Sequence, residues 1–181
     1  MLDKGGASVA NSVQLEEAGV GWIAALPWNQ APAEFRERAV EQLSPCSSAQ
    51  PGVRASAEKL LVHGKEYLCV VKYSASLAGE QLHSLSTSLS KVLQSLRRFS
   101  LELNKPKARW KESQIRTKIQ RWLEGQFLEE LIRYQIESGD GQWRLQFDYD
   151  TAAWQRLLTG RLGRTVLLTN RGPGPVAYYP T

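Results

Sequence analysis

The chain has 181 residues, room for one ordinary domain or a small core carrying a sizeable insertion. Its hydrophobic share of 42% beside 23% charged residues is that of a globular protein, and no apolar run approaches the roughly 20 residues that cross a bilayer. The opening Met1-Leu2-Asp3-Lys4-Gly5-Gly6 has no apolar stretch fit for a signal peptide, and Cys46 and Cys69 sit in unrelated contexts, so the expectation is a cytoplasmic protein without a disulfide framework or zinc pattern.

Leu2 to Gly6 reads as the tail of a strand breaking into a glycine turn. Ser8 or Asn11 can cap a helix with apolar Val13, Leu15 and Ala18, and Gly19 stops it. The apolar run Val20 to Leu26, closed by Pro27, suits a buried strand. Strand end, helix and buried strand make a βαβ pattern, which predicts a parallel sheet with a ligand site at strand C-terminal ends, where Asp3 would stand.

Pro32 to Leu43 carries Phe35, Ala39 and Leu43 at four-residue spacing and predicts a short helix. Ser44 to Arg54 reads as a loop. Leu60-Leu61-Val62 and Tyr67 to Tyr73 flank a Gly-containing turn and predict a β-hairpin. Leu82, Leu85, Leu89, Val92, Leu96, Phe99 and Leu103 then repeat at alternating three- and four-residue steps, a heptad seam. Asn104-Lys105-Pro106 interrupts it, and Ile115, Ile119, Trp122, Leu123, Phe127, Leu131 and Tyr134 continue a helical spacing. The two stretches predict an antiparallel helical hairpin over 77–138. After Gly139-Asp140-Gly141 come an alternating strand over 142–149, a short helix capped by Asp150-Thr151, and an apolar strand from Arg164 to Asn170.

Four features could carry chemistry, of which Trp28-Asn29-Gln30 after Pro27 reads mainly as core packing and a turn. Asp3-Lys4-Gly5 places a carboxylate before a flexible turn, which can hold a hard cation such as Mg²⁺. Thr169-Asn170-Arg171 follows an apolar strand, where polar side chains can position a phosphate or support a metal-bound carboxylate. The last is electrostatic. Lys91, Arg97, Arg98, Lys105, Lys107, Arg109, Lys111, Arg116, Lys118 and Arg121 face only Glu102 and Glu112 in their segment. Ten cations against two anions give +8 there, more than the whole chain's +5, so the remainder is slightly acidic. A nearly single-signed surface points to phosphate contact, with Lys4 near the carboxylate as a further candidate contact.

Asp3-Lys4-Gly5, a helix ending Glu16-Glu17-Ala18-Gly19, and Gly21-Trp22-Ile23-Ala24-Ala25-Leu26-Pro27, taken in order, resemble the stretch after the second catalytic aspartate of DDE-class insertion-sequence transposases. Val70-Val71-Lys72-Tyr73-Ser74, the strand from Trp143 to Tyr149, and Gly163-Arg164-Thr165-Val166-Leu167-Leu168-Thr169-Asn170-Arg171 match the downstream order. The resemblance implies an α/β fold, a partial RNase H-like core with a large α+β insertion. On that basis 1–30 is core, 31–162 is insertion and 163–181 returns to the core. It further implies DNA transposition by three carboxylates holding two Mg²⁺ ions, with Asp3 the second carboxylate and an oligomer in the intact enzyme. The first Asp is expected before Met1 and the Glu beyond Tyr178, so the resemblance implies a fragment that does not cleave DNA alone. The alternative is a non-catalytic DNA-binding or coiled-coil module that uses the basic helical hairpin.

Overall fold

A computed structural model describes residues 14–46, 50–62, 64–105, 110–139 and 142–171. They fall into two units, one formed by 1–78 with 163–181 and the other by the continuous stretch 79–162.

In the first unit residues 14–17 are helical and end as a glycine-terminated helix should. Gly19 has φ 67°, its N–H donates to the Glu16 carbonyl at 2.9 Å, and the Val20 N–H donates to the Leu15 carbonyl at 2.8 Å. The chain continues into β1 (Ile23–Leu26), α1 (Ala33–Glu41), β2 (Ser44–Pro45), β3 (Val53–Val62) and β4 (Lys65–Ser74), and it returns as β7 (Arg164–Thr169). The sheet order is β1-β7-β4-β3-β2. Period-2 patterning selects the buried face: Tyr67, Cys69 and Val71 of β4 and Val166 and Leu168 of β7 pack with Trp22, Ala24 and Leu26. α1 closes that face with Phe35 and Ala39, both 1% exposed. Cys69 is fully buried, and burial pushes its thiol up to about 11, so it is an inert core residue.

Three expectations change here. Every strand pairing among the described residues is antiparallel, β1 with β7 included, in place of the parallel sheet read from the βαβ pattern. The strand before Asp3 lies outside the described residues. The β-hairpin of β3 and β4, placed in the insertion by sequence, pairs through β7 into the same sheet as β1. Part of the Ser44 to Arg54 loop is also strand, because β2 pairs with the start of β3. Among the described residues β1 is an outer strand, with Ala24 and Leu26 buried but Ile23 48% exposed.

α2 (Ala75–Leu103) starts directly after β4, with the Ser74 hydroxyl accepting from the Leu77 N–H. In the second unit its seam residues Leu85, Val92, Leu96, Phe99 and Leu103 are buried against Ile115, Ile119 and Leu123 of α3 (Glu112–Leu123). The heptad seam is thus spent on this unit's own core. α4 (Leu128–Leu131), β5 (Ile132–Gly139), β6 (Gln142–Tyr149) and α5 (Thr151–Gly160) complete the unit.

The helical hairpin over 77–138 is therefore too long by its last seven residues. Ile132–Gly139 is a strand, paired in register with Gln142–Tyr149. Tyr134 continued the helical spacing, but Ile132, Tyr134 and Ile136 also alternate with Arg133, Gln135 and Glu137, and the alternation wins because β6 supplies the partner. Leu145, Phe147 and Tyr149 lie against the core, while Arg133, Gln135, Arg144 and Gln146 are exposed.

The expected cap of α5 is present. Asp150 Oδ1 accepts from the Ala153 N–H at 2.9 Å, and Oδ2 pairs with Arg133. The Ala153 N–H, with Arg133 beside it, holds the carboxyl below the usual carboxylate range, so its folded pKa is depressed. Its stabilisation is present above the ordinary carboxylate pKa and is lost as pH falls through the depressed folded value. Asp150→Asn keeps the cap acceptor and loses the charge. In thermal melts its deficit relative to the parent should be constant from neutrality to about pH 5 and shrink below about pH 4. A deficit unchanged down to pH 2 would remove the assigned role of the charge.

Candidate functional site

Within the first unit, Thr169 and Asn170 at the end of β7 bind the backbone that leads into β1. The Thr169 hydroxyl, 8% exposed as a residue, donates to the Trp22 carbonyl at 2.5 Å and accepts from the Arg171 N–H at 3.2 Å. The Asn170 side chain accepts from the Trp22 N–H at 3.0 Å and donates to the Val20 carbonyl at 3.1 Å. Since Ile23 faces Thr169 in the ladder, the Asn170 amide acts as one more strand residue spanning Gly21. A Cβ on Gly21 would come within 1.9 Å of Arg171 Nε, so the glycine leaves room for that guanidinium. The three residues named as site-supporting are therefore brought together, with the side-chain hydrogen bonds of Thr169 and Asn170 to residues 20–22 fixing that strand end. Gly21 is the member that the sequence reading missed.

Asn170→Ala should remove both amide bonds and cost about 1–2 kcal/mol. Faster exchange of the Trp22 amide hydrogen and a lower urea midpoint are the readouts. Unchanged exchange at Trp22 would show that the amide does not hold the strand end. Beside this end, Glu16 forms an ion pair with Lys65 at 2.8 Å. Lys65, followed by Tyr67, holds the Glu16 carboxyl below its ordinary range. That pair ties residues 14–17 to β4.

Asp3 and Lys4 lie outside the described residues, as do Lys107 and Arg109. Among the described residues no group of three His, Cys, Asp or Glu side chains comes together, so the Mg²⁺ expectation finds no donor set there.

The second unit carries the described cations of the basic segment. Arg97 and Arg98 are exposed on α2, Lys105 just after it, Lys111 just before α3 and Arg121 on α3, and none forms an ion pair with another described residue. Arg116 is also exposed, but its Nη2 pairs with Glu112 at 2.6 Å, the i,i+4 arrangement of a helix surface. Lys118 differs again. Its Nζ lies 4.3 Å from the Phe99 ring centre, 4.8 Å from Trp110 and 5.7 Å from Trp122, with Glu102 at 3.7 Å. Phe99 meets both tryptophans edge-on, at 5.2 and 5.5 Å. The rings attract the ammonium through their electron-rich faces and hold it among them.

On α3, Ile115, Ile119 and Leu123 take the buried stripe, and Ser113, Gln114, Thr117 and Arg121 take other sides of the same helix. With Trp110 and Lys118 these side chains line a shallow groove of about 450 Å³. Trp110 is held by its carbonyl, which accepts from the Trp143 indole N–H at 2.8 Å. The i, i+4, i+8 spacing of Ser113, Thr117 and Arg121 was visible in the sequence, though hidden by attention to charge alone. Among the described residues no helix is long and apolar enough to cross a membrane. Comparisons of the chain with known protein families, with curated proteins and with solved structures give no match.

Proposed function

We propose that this chain carries part of the catalytic domain of a DDE-class insertion-sequence transposase and engages DNA through the exposed cations of its second unit. The observation that carries the reading is the split first unit. Its sheet takes strands from Ile23–Ser74 and then Arg164–Thr169, with a unit that has its own core inserted between. A sheet interrupted by an inserted unit is the arrangement that the sequence resemblance implies. On this reading the first unit belongs to an RNase H-like core, Asp3 is the second of three metal-binding carboxylates, and Thr169-Asn170-Arg171 supports that core's edge. The basic surface of α2 and α3 then tracks phosphates.

DNA binding provides the test. The 181-residue chain should bind duplexes of unrelated sequence equally well, with affinity falling linearly in log salt. Changing Lys105, Lys107, Arg109 and Lys111 together to Glu should weaken binding at least about tenfold near 0.1 M salt. Equal affinity in that variant would defeat the reading. Only one of the three family carboxylates is matched on these residues, and one carboxylate makes a weak divalent site. Supercoiled plasmid should therefore stay closed with the chain and Mg²⁺, and nicking abolished by Asp3→Ala would overturn that expectation.

A further inference from the structure

We infer that the groove along α3 walled by Trp110 seats the phosphodiester backbone of duplex DNA, with Arg121 as its charged contact and Ser113, Gln114 and Thr117 as neutral donors. This rests on the DNA-binding reading above and assigns its contact set. The groove's lining is donor-rich: no carboxylate is among its described residues, and Arg121 is exposed and without an ion pair to another described residue. Gln114 is oriented for donation. Its Oε1 already accepts from the Lys111 N–H at 3.1 Å, which leaves the amide NH₂ for a ligand. Ser113 and Thr117 lie one helical turn apart, and Arg121 one turn further. Such a row suits successive oxygens of a backbone, since hydroxyl, amide and guanidinium groups are the usual donors to phosphates.

Lys118 lines the same groove but is assigned a different part. Three ring faces surround its ammonium, and Glu102 stands 3.7 Å from it. Its charge is thus answered within the protein, and it holds Trp110 as the groove wall without meeting phosphate. Summed charge treats Lys118 and Arg121 alike; this geometry separates them.

The experiment is a salt titration of a short fluorescent duplex of arbitrary sequence with the full chain. Arg121→Gln should lower the slope of log affinity against log salt by about 0.9, one phosphate contact. The double variant Ser113→Ala, Thr117→Val should weaken binding severalfold at unchanged slope, since neutral donors release no counterion. Lys118→Met should keep the parental slope. A parental slope in Arg121→Gln, or a loss in Lys118→Met equal to that expected for Arg121→Gln, overturns the groove while leaving DNA binding intact. Displacement of the duplex by inorganic phosphate beyond the effect of chloride at equal ionic strength would mark a free-anion site and overturn it too. Should Lys118→Met fail to fold, the exposed Arg121 still decides through its own slope. Failure of the unaltered chain to bind duplex at all overturns both this inference and the reading beneath it.

Discussion

Phe99→Ala should destabilise the second unit by about 3–5 kcal/mol, the range for removing a buried aromatic ring. Phe99 is 1% exposed and touches the edges or faces of Trp110 and Trp122 while carrying Lys118 over its ring. Truncation leaves a cavity, ends two aromatic contacts and removes the nearest of the three ring faces from an ammonium. Phe99→Leu fills most of the volume and should cost less, because volume-conserving core changes generally lose under about 1.5 kcal/mol. Leu61→Ala, at a site 74% exposed, should change stability by less than about 0.5 kcal/mol. Urea unfolding followed by near-UV circular dichroism reads all three. A loss below about 1 kcal/mol for Phe99→Ala would mean that the ring cluster is not packed as described.

Gly163→Ala should unsettle the first unit by at least about 3 kcal/mol, by adding overlap to backbone strain. Gly163 has φ 75°, and a Cβ there would lie 2.6 Å from Ala78 Cβ and 2.7 Å from the Ser74 carbonyl oxygen. Neither neighbour is the far end of a flexible side chain. The Gly163 carbonyl also accepts from the Ser74 N–H at 2.9 Å, so the turn cannot shift without breaking that bond. Gly19→Ala provides the comparison: φ is 67° but no described residue lies within 4 Å of its Cβ position. Strain alone should cost about 1–2 kcal/mol there. Equal urea midpoints for the two variants would show that overlap at 163 adds nothing.

Much of this fold was legible because local signals agreed. The heptad steps from Leu82 to Leu103 set α2, the Phe35 and Ala39 spacing set α1, and the turn around Gly64 set the β3–β4 hairpin. Asp150 announced the start of α5 by its side chain. β5 was missed because Leu131 and Tyr134 obeyed the helical period by coincidence, while the signal that mattered was the matching alternation across Gly139-Asp140-Gly141. Sheet direction was missed for another reason. β1 meets β7 some 140 to 146 residues away, as Leu26↔Val166 and Ile23↔Thr169 differ by 140 and 146 in number, and no local pattern encodes such a pairing.

The candidate site divides along the same line. Its charge was legible in composition, and Arg97, Arg98, Lys105, Lys111 and Arg121 are exposed as a phosphate-binding surface requires. The removal of Lys118 from that set was not legible, because Phe99, Trp110 and Trp122 come from three separate stretches and surround it only after folding. Asn170 read as a polar strand exit, and its two bonds to residues 20 and 22 depend on a partner 148 to 150 positions away.

The position of β7 also sets a timetable for synthesis. β7 lies between β1 and β4, yet it is translated after both, with the whole of 79–162 intervening. A nascent chain that has exposed β1 and β4 cannot join them across their shared neighbour until residue 169 leaves the ribosome. The inserted unit is continuous and needs no such delay, so it can fold while the apolar faces of Ala24, Leu26, Cys69 and Val71 are still waiting for the strand between them. Pausing or slow translation before Arg164 would therefore fall at the point where the growing chain is most prone to stick to its neighbours.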